Sequence, residues 1–169
     1  MYFVNNHPFF YLNLEGIILD NTRLLIRNDA FTIKNRYPIG GFIIDSGSNF
    51  SYLNKTAFDI LVDNLNKRIK YVKRVPEIEK RFGFKLCYDY QWQYLMVTPV
   101  LTFHFTGANL YLPSFNTWLK IKGDIHCLAI LPTDGRSKLG NFQQQDFNVG
   151  YDLENKLFSF DLTYCSDLD

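Results

Sequence analysis

Cysteine is scarce in this chain, with only Cys87, Cys127 and Cys165 among 169 residues. No two of them stand at C-x-x-C spacing, and His104 and His126 fit no ligand pattern, so no metal site or other cofactor is assigned. Excess charge is missing as well. Eighteen Lys and Arg against seventeen Asp and Glu leave a net +1, which gives no electrostatic case for nucleic acid or for an anionic membrane. No apolar run reaches the roughly 20 residues that span a bilayer, so no membrane span is expected. Met1 to Pro8 offers neither a basic n-region nor an apolar h-region and does not read as a signal peptide. Solenoid-period repeats and low-complexity tracts are absent.

What the chain has in quantity is aromatic residues, at 17%, while alanine is scarce; that balance favours β structure. A chain of this length buries roughly 70% of the surface its unfolded form exposes, enough for one domain with its own core. Taken in order, Phe9 to Leu19 reads as a strand, Asp20-Asn21-Thr22 as a turn, and Arg23 to Ile26 as the returning hairpin partner. Ala30 to Ile33 is a further short strand candidate, and Tyr37-Pro38-Ile39-Gly40-Gly41 a turn. Asn54 is a good N-cap for one clear helix over about 54–70, with Phe58, Leu61, Val62, Leu65 and Ile69 forming one apolar stripe. Lys67, Arg68 and Lys70 crowd its end, as the helix dipole favours. Tyr71 to Glu79, charged and carrying Pro76, reads as a surface loop. Phe84 to Tyr88 and Val100 to Phe105 alternate as strands, and Gly107-Ala108-Asn109 turns into Leu110 to Leu112. Trp118 to Leu131 holds two strands around a Gly-Asp turn, and Phe147 to Tyr151 pairs with Leu157 to Leu162.

The stretch that carries chemistry is Gly40-Gly41-Phe42-Ile43-Ile44-Asp45-Ser46-Gly47-Ser48. Phe42 to Ile44 reads as a buried strand that delivers a carboxylate into a Ser-Gly turn. Such an acid needs hydrogen-bond donors or a second acid with which to share a proton, or its pKa drifts upward. On the triplet alone an ordinary Asp-Ser-Gly turn is the favoured reading, because Asp, Ser and Gly are standard turn residues. The wider context is specific: Gly41 to Leu53, followed by a helix, resembles the second catalytic motif of pepsin-like aspartic proteases. The similarity is to the plant nepenthesin-like branch, which also contains the xylanase-inhibitor proteins. Downstream, Leu139-Gly140-Asn141-Phe142-Gln143-Gln144-Gln145-Asp146-Phe147-Asn148-Val149-Gly150-Tyr151-Asp152 resembles the closing segment of the same family.

The resemblance runs from about Tyr11 to Cys165 and covers one lobe. It implies that residues 1–169 form a single mainly-β domain, the C-terminal lobe of a bilobal fold, built as stacked antiparallel sheets around the Asp45 loop. The N-terminal lobe, with the first catalytic Asp and the flap, has no counterpart, so the chain looks truncated. By resemblance Asp45 is one member of a catalytic dyad, Ser46 the hydroxyl that links the two catalytic loops, and Gly47 a backbone donor to the carboxylate. Ser48 stands where the family has Thr and is expected to bond the outer carboxylate oxygen. Cys87 and Cys127 match a disulfide within the lobe, and Cys165 a terminal cysteine reaching toward the other lobe. Read from residues alone, three reduced thiols in a cytosolic chain fit as well. The family is secreted or vacuolar, which sets the expected compartment for a parent protein.

Two sequons, Asn49-Phe50-Ser51 and Asn54-Lys55-Thr56, are candidate glycosylation sites; a glycan on Asn49 would obstruct the cleft beside the catalytic turn. Lys138 stands where the family has an apolar residue before Gly140, a position where it must snorkel or lose its charge. His7, His104 and His126 receive no role. Metal-free peptide hydrolysis needs two acids sharing one proton, and Asp45 supplies one. The expected function is therefore an aspartic-endopeptidase lobe, inactive alone, whose partners are the missing N-terminal lobe and a peptide substrate. A non-catalytic inhibitor-like or protein-binding relative, or a decayed duplicate, is the alternative. A retropepsin-like homodimer, in which a second copy of the chain supplies the other Asp45, is the third reading.

Overall fold

The computed structural model describes residues 9–27, 29–34, 39–70, 72–91 and 98–164. The expected first strand divides at Asn13 into β1 (Phe10–Leu12) and β2 (Leu14–Leu19), which enter different sheets. Asp20, at φ 54°, turns the chain into the two-residue β3 (Thr22–Arg23), shorter than the predicted hairpin arm. The candidate at Ala30 to Ile33 is realised only as β4 (Ile33–Lys34), which pairs with β5 (Ile39–Gly40). Next come β6 (Phe42–Ile44), β7 (Ser51–Asn54) and helix α1 (Lys55–Arg68). The carboxamide oxygen of Asn54 accepts from the Thr56 and Ala57 amides at 3.0 and 3.3 Å, the cap the sequence predicts. Phe58, Leu61 and Leu65 are buried along its inner face.

The predicted surface loop at Tyr71 to Glu79 is not what forms: β8 (Lys73–Arg74) is followed by a second helix, α2 (Pro76–Phe82). Its signals were present. Pro76 sits at the start of the helix, Glu77 and Glu79 in the first turn, Lys80 and Arg81 in the last, and Gly83 closes it at φ 79°. Glu79 is buried because Arg74 clamps it through two bonds of 2.7 and 2.9 Å.

The remaining strands are β9 (Cys87–Asp89), β10 (Leu101–Phe105), β11 (Ala108–Leu112), β12 (Trp118–Lys122), β13 (Ile125–Leu128), β14 (Ile130–Thr133), β15 (Ser137–Leu139), β16 (Phe147–Asp152) and β17 (Leu157–Leu162). Trp118 to Leu131 thus holds parts of three strands, not two, because the chain leaves one sheet at Ala129 and enters another. Part of the segment expected to precede β10, Trp92 to Val97, lies outside the described residues.

The sheet that carries the motif strand runs β1-β6-β15-β7-β14. It is mixed, which corrects the expectation of purely antiparallel sheets: β15 lies parallel to β6, and β14 parallel to β7. A four-stranded antiparallel sheet, β11-β10-β2-β3, carries Phe103 and Phe105 against Phe42, with ring centroids 5.8 and 5.5 Å apart in edge-to-face geometry. Phe42 is fully buried there, so β6 is anchored from below. A third sheet, β12-β13-β9-β8, holds the bond between Cys87 and Cys127, whose sulfur atoms are 1.97 Å apart. The terminal hairpin β16–β17 lays Phe147, Val149, Phe158 and Phe160 half-buried on the core. Its Tyr151, Leu153, Leu157 and Leu162 are exposed, and so is Tyr164 just beyond. No helix among the described residues is long and apolar enough to cross a membrane.

Candidate active site

Strands β6 and β7 are joined by the turn Asp45 to Phe50, yet they do not pair with each other, because β15 is inserted between them. The Leu139 carbonyl accepts from the Asp45 amide at 2.9 Å, while Asn141 and Phe142 donate their amides to the Ser48 and Asn49 carbonyls at 2.7 and 3.0 Å. A segment more than ninety residues downstream therefore underlies the whole turn. Gly140 is required at that crossing: a Cβ there would lie 2.1 Å from the Phe50 carbonyl oxygen. Gly41 enters β6 at φ 79°, where a side chain would also meet the Tyr11 ring.

The underside of the turn is held by buried polar side chains that sequence reasoning missed. Gln143 accepts the Ser51 amide at 2.8 Å and donates to the Asn116 and Ala129 carbonyls at 2.9 and 3.1 Å. Ser51 Oγ accepts the Gly140 amide at 2.9 Å, and Ser137 Oγ accepts the Asn54 amide at 2.8 Å. Their signal was faint: uncharged polar residues inside a motif, of a type equally at home on a surface. Once buried, each must be fully bonded, which makes the network rigid.

Asp45 leaves the end of β6 half-buried. Ser48 Oγ donates to its Oδ2 at 2.8 Å, and Ser46 and Gly47 are exposed beside it. The second ligand of Oδ2 is Lys138, whose Nζ donates to it at 2.9 Å and to Ser48 Oγ at 2.9 Å. Lys138 is therefore neither snorkelled into open solvent nor buried without a partner. Its ammonium also lies 5.4 Å from the centre of the Tyr52 ring, on the strand paired with it. The Asp45 carboxyl titrates below its ordinary 3.8, chiefly through the Lys138 hydrogen bond; burial opposes this, and Ser48, the charge of Lys138 and the Gly47 amide add to it.

The other expected residues lie apart from this centre. Asn49 is exposed at the rim of the turn, and Asn54 uses its side-chain oxygen as the helix cap. Cys165 and His7 lie outside the described residues. His126 is buried against the Asp124 carbonyl at 3.0 Å, and His104 on β10 contacts its cross-strand partner Asn109 at 2.6 Å.

A carboxylate delivered by a short buried strand into a Ser-Gly turn, over a second strand threaded beneath it, defines one lobe of the pepsin-like acid protease fold. The chain matches the family described as xylanase inhibitor C-terminal over residues 9–161, and it belongs to that family. It is 32% identical over 160 residues to aspartic proteinase nepenthesin-1 of Nepenthes gracilis, a match covering 93% of this chain and 36% of that protein. A probable aspartic protease of Arabidopsis thaliana is 30% identical over 162 residues, covering 94% and 36% respectively. The chain thus spans about a third of the length of these curated relatives. Among solved structures, that of edgp superposes with a TM-score of 0.77 at 15% identity, over 90% of this chain and 39% of the other. Conglutin gamma from lupine seeds superposes at 0.72 and 16% identity, over 93% and 38%. At that identity both speak for the fold alone.

Proposed function

We propose that residues 1–169 act as the C-terminal lobe of an aspartic endopeptidase, contributing Asp45 as one of two catalytic carboxylates to a peptide-binding cleft that an N-terminal lobe completes. The observation that carries this reading is the Asp45 turn itself: a half-buried carboxylate bonded by Ser48 and braced by the Gly140 crossing and the Gln143 network. In such a pair one carboxylate takes a proton from the attacking water while the partner acid gives its proton to the substrate carbonyl. A lone Asp45 fills one of these roles, so the isolated chain is inactive. Residues 146–164 support a docking role, since the hairpin has no further strand partner among the described residues and carries Tyr151, Leu157 and Leu162 exposed. Cys165 would be the covalent tie to the other lobe, and the parent protein would be secreted or vacuolar.

A second reading, a non-catalytic protein-binding relative, is favoured by one contact, the Lys138 ion pair on Asp45. The test is to mix purified chain with the N-terminal lobe of nepenthesin-1 and assay peptide cleavage in acid. Complex formation with pepstatin-sensitive cleavage, lost in Asp45→Asn, supports the proposal. Complex formation without cleavage at any pH, in both the native chain and Lys138→Met, leaves the non-catalytic reading. Cleavage by the chain alone, abolished by the same Asp45→Asn change, would point instead to a homodimer.

A further inference from the structure

The position of Lys138 follows from β15 rather than from its own flexibility. Its backbone is paired with Ile43 on one side and Tyr52 on the other, while Ser137 and Leu139 point into the buried layers. The intervening side chain is thereby aimed at the turn, where Asp45 Oδ2, Ser48 Oγ and the Tyr52 ring surround the ammonium. The pair is partly shielded, with side-chain exposures of 27% for Lys138 and 30% for Asp45. The groups that face Asp45 are the Lys138 ammonium from β15 and the Ser48 hydroxyl and Gly47 amide from its own turn. Lys138 is the charged side chain in contact with it, at 2.9 Å. Arg136, two residues earlier on the chain, lies instead over the Phe9 ring at 5.1 Å.

Two carboxylates sharing one proton carry a net charge of −1, and two carboxylates beside one ammonium carry the same. The ammonium removes the repulsion that makes a dyad hold its proton. Both Lys138 and Ser48 sit on Oδ2.

We propose that Lys138 sets the acid threshold of the Asp45 site: by supplying the positive charge that a carboxylate pair otherwise takes from a shared proton, it keeps both carboxylates ionised until the solution is acid enough for the pair to take up one proton in spite of the ammonium. This rests on the reading of Asp45 as a dyad member. Lys138 is a positioning and charge-setting residue and transfers no proton itself. The paired lobes are then silent at mild acidity and become competent only at lower pH, where the pair takes up its one shared proton.

The test is a carboxyl-carbon NMR titration of the full chain labelled at aspartate, in the native form and in Lys138→Met, Lys138→Gln and Lys138→Arg. The Asp45 midpoint is expected to move upward in the Met and Gln variants and to stay near the native value in the Arg variant. Added salt is expected to raise the native midpoint and to leave that of the Gln variant in place, which decides the matter even where Lys138→Met fails to fold. An Asp45 midpoint unchanged by both neutral replacements overturns the proposal. In the complex with an N-terminal lobe, the alkaline limb of the pH–rate profile is expected to move to higher pH in Lys138→Met. No cleavage by any variant would overturn the protease reading, while the titration of the isolated chain still decides the role of Lys138.

Discussion

Replacing Gly140 by alanine tests whether the Asp45 turn depends on the strand threaded beneath it. The new Cβ would lie 2.1 Å from the Phe50 oxygen, 2.2 Å from its carbonyl carbon and 2.7 Å from the Ser51 nitrogen, all of them backbone atoms that no rotamer change can move aside. Carbon atoms in contact sit at about 3.5 Å, so the two segments must part by roughly 1 Å. Three bonds cross that gap: Gly140 to Ser51 Oγ at 2.9 Å, Asn141 to the Ser48 carbonyl at 2.7 Å, and Phe142 to the Asn49 carbonyl at 3.0 Å. An opening of that size breaks all three. At about 1 kcal/mol net for each, the expected loss is about 3 kcal/mol of folding stability. Urea unfolding followed by tryptophan fluorescence measures it, with Gly135→Ala as the control. A Cβ at Gly135 meets only the Thr133 hydroxyl at 3.4 Å, an ordinary contact, and its effect should stay within about 0.5 kcal/mol. A Gly140→Ala loss no larger than that of the control would refute the account of the crossing.

Two further outcomes follow from the same structure. The Cys87–Cys127 bond closes a loop of sequence separation 40, so Cys87→Ala/Cys127→Ala should lose about 4 kcal/mol in the chain-entropy treatment; a loss below about 1 kcal/mol in urea unfolding would contradict it. Acid should destabilise the fold in two stages, because His126 and Asp45 both titrate below their ordinary values, His126 through burial and Asp45 through Lys138. A depressed group contributes stability that is complete above its unfolded value and is lost as pH falls through its folded one. Urea midpoints should therefore decline below the ordinary histidine value of 6.5 and again below the ordinary aspartate value of 3.8. The lower step should shrink in Lys138→Met, and midpoints that stay flat through both windows would exclude the linkage.

The elements readable in advance were those whose signals are local. Helix α1 was written in the Asn54 cap and its apolar stripe, and the hairpin β16–β17 in two alternating runs around a polar turn. Helix α2 was overlooked because a charged composition outweighed the Pro76 start and the Gly83 stop that frame it. Lys138 was visible as a misfit in an apolar position, but its destination was not, since Asp45 lies 93 residues away along the chain.

The order of residues by itself determined that an aspartate would stand at the end of a short apolar strand, in a Ser-Gly turn that leads to a capped helix. Those features depend on backbone preferences and side-chain periodicity within a few neighbours. Only the tertiary structure decided that β15 would pass between β6 and β7 and bring an ammonium to that aspartate. Strand order and ion pairing between distant segments are properties of the assembled sheet, and no local pattern in the chain encodes them.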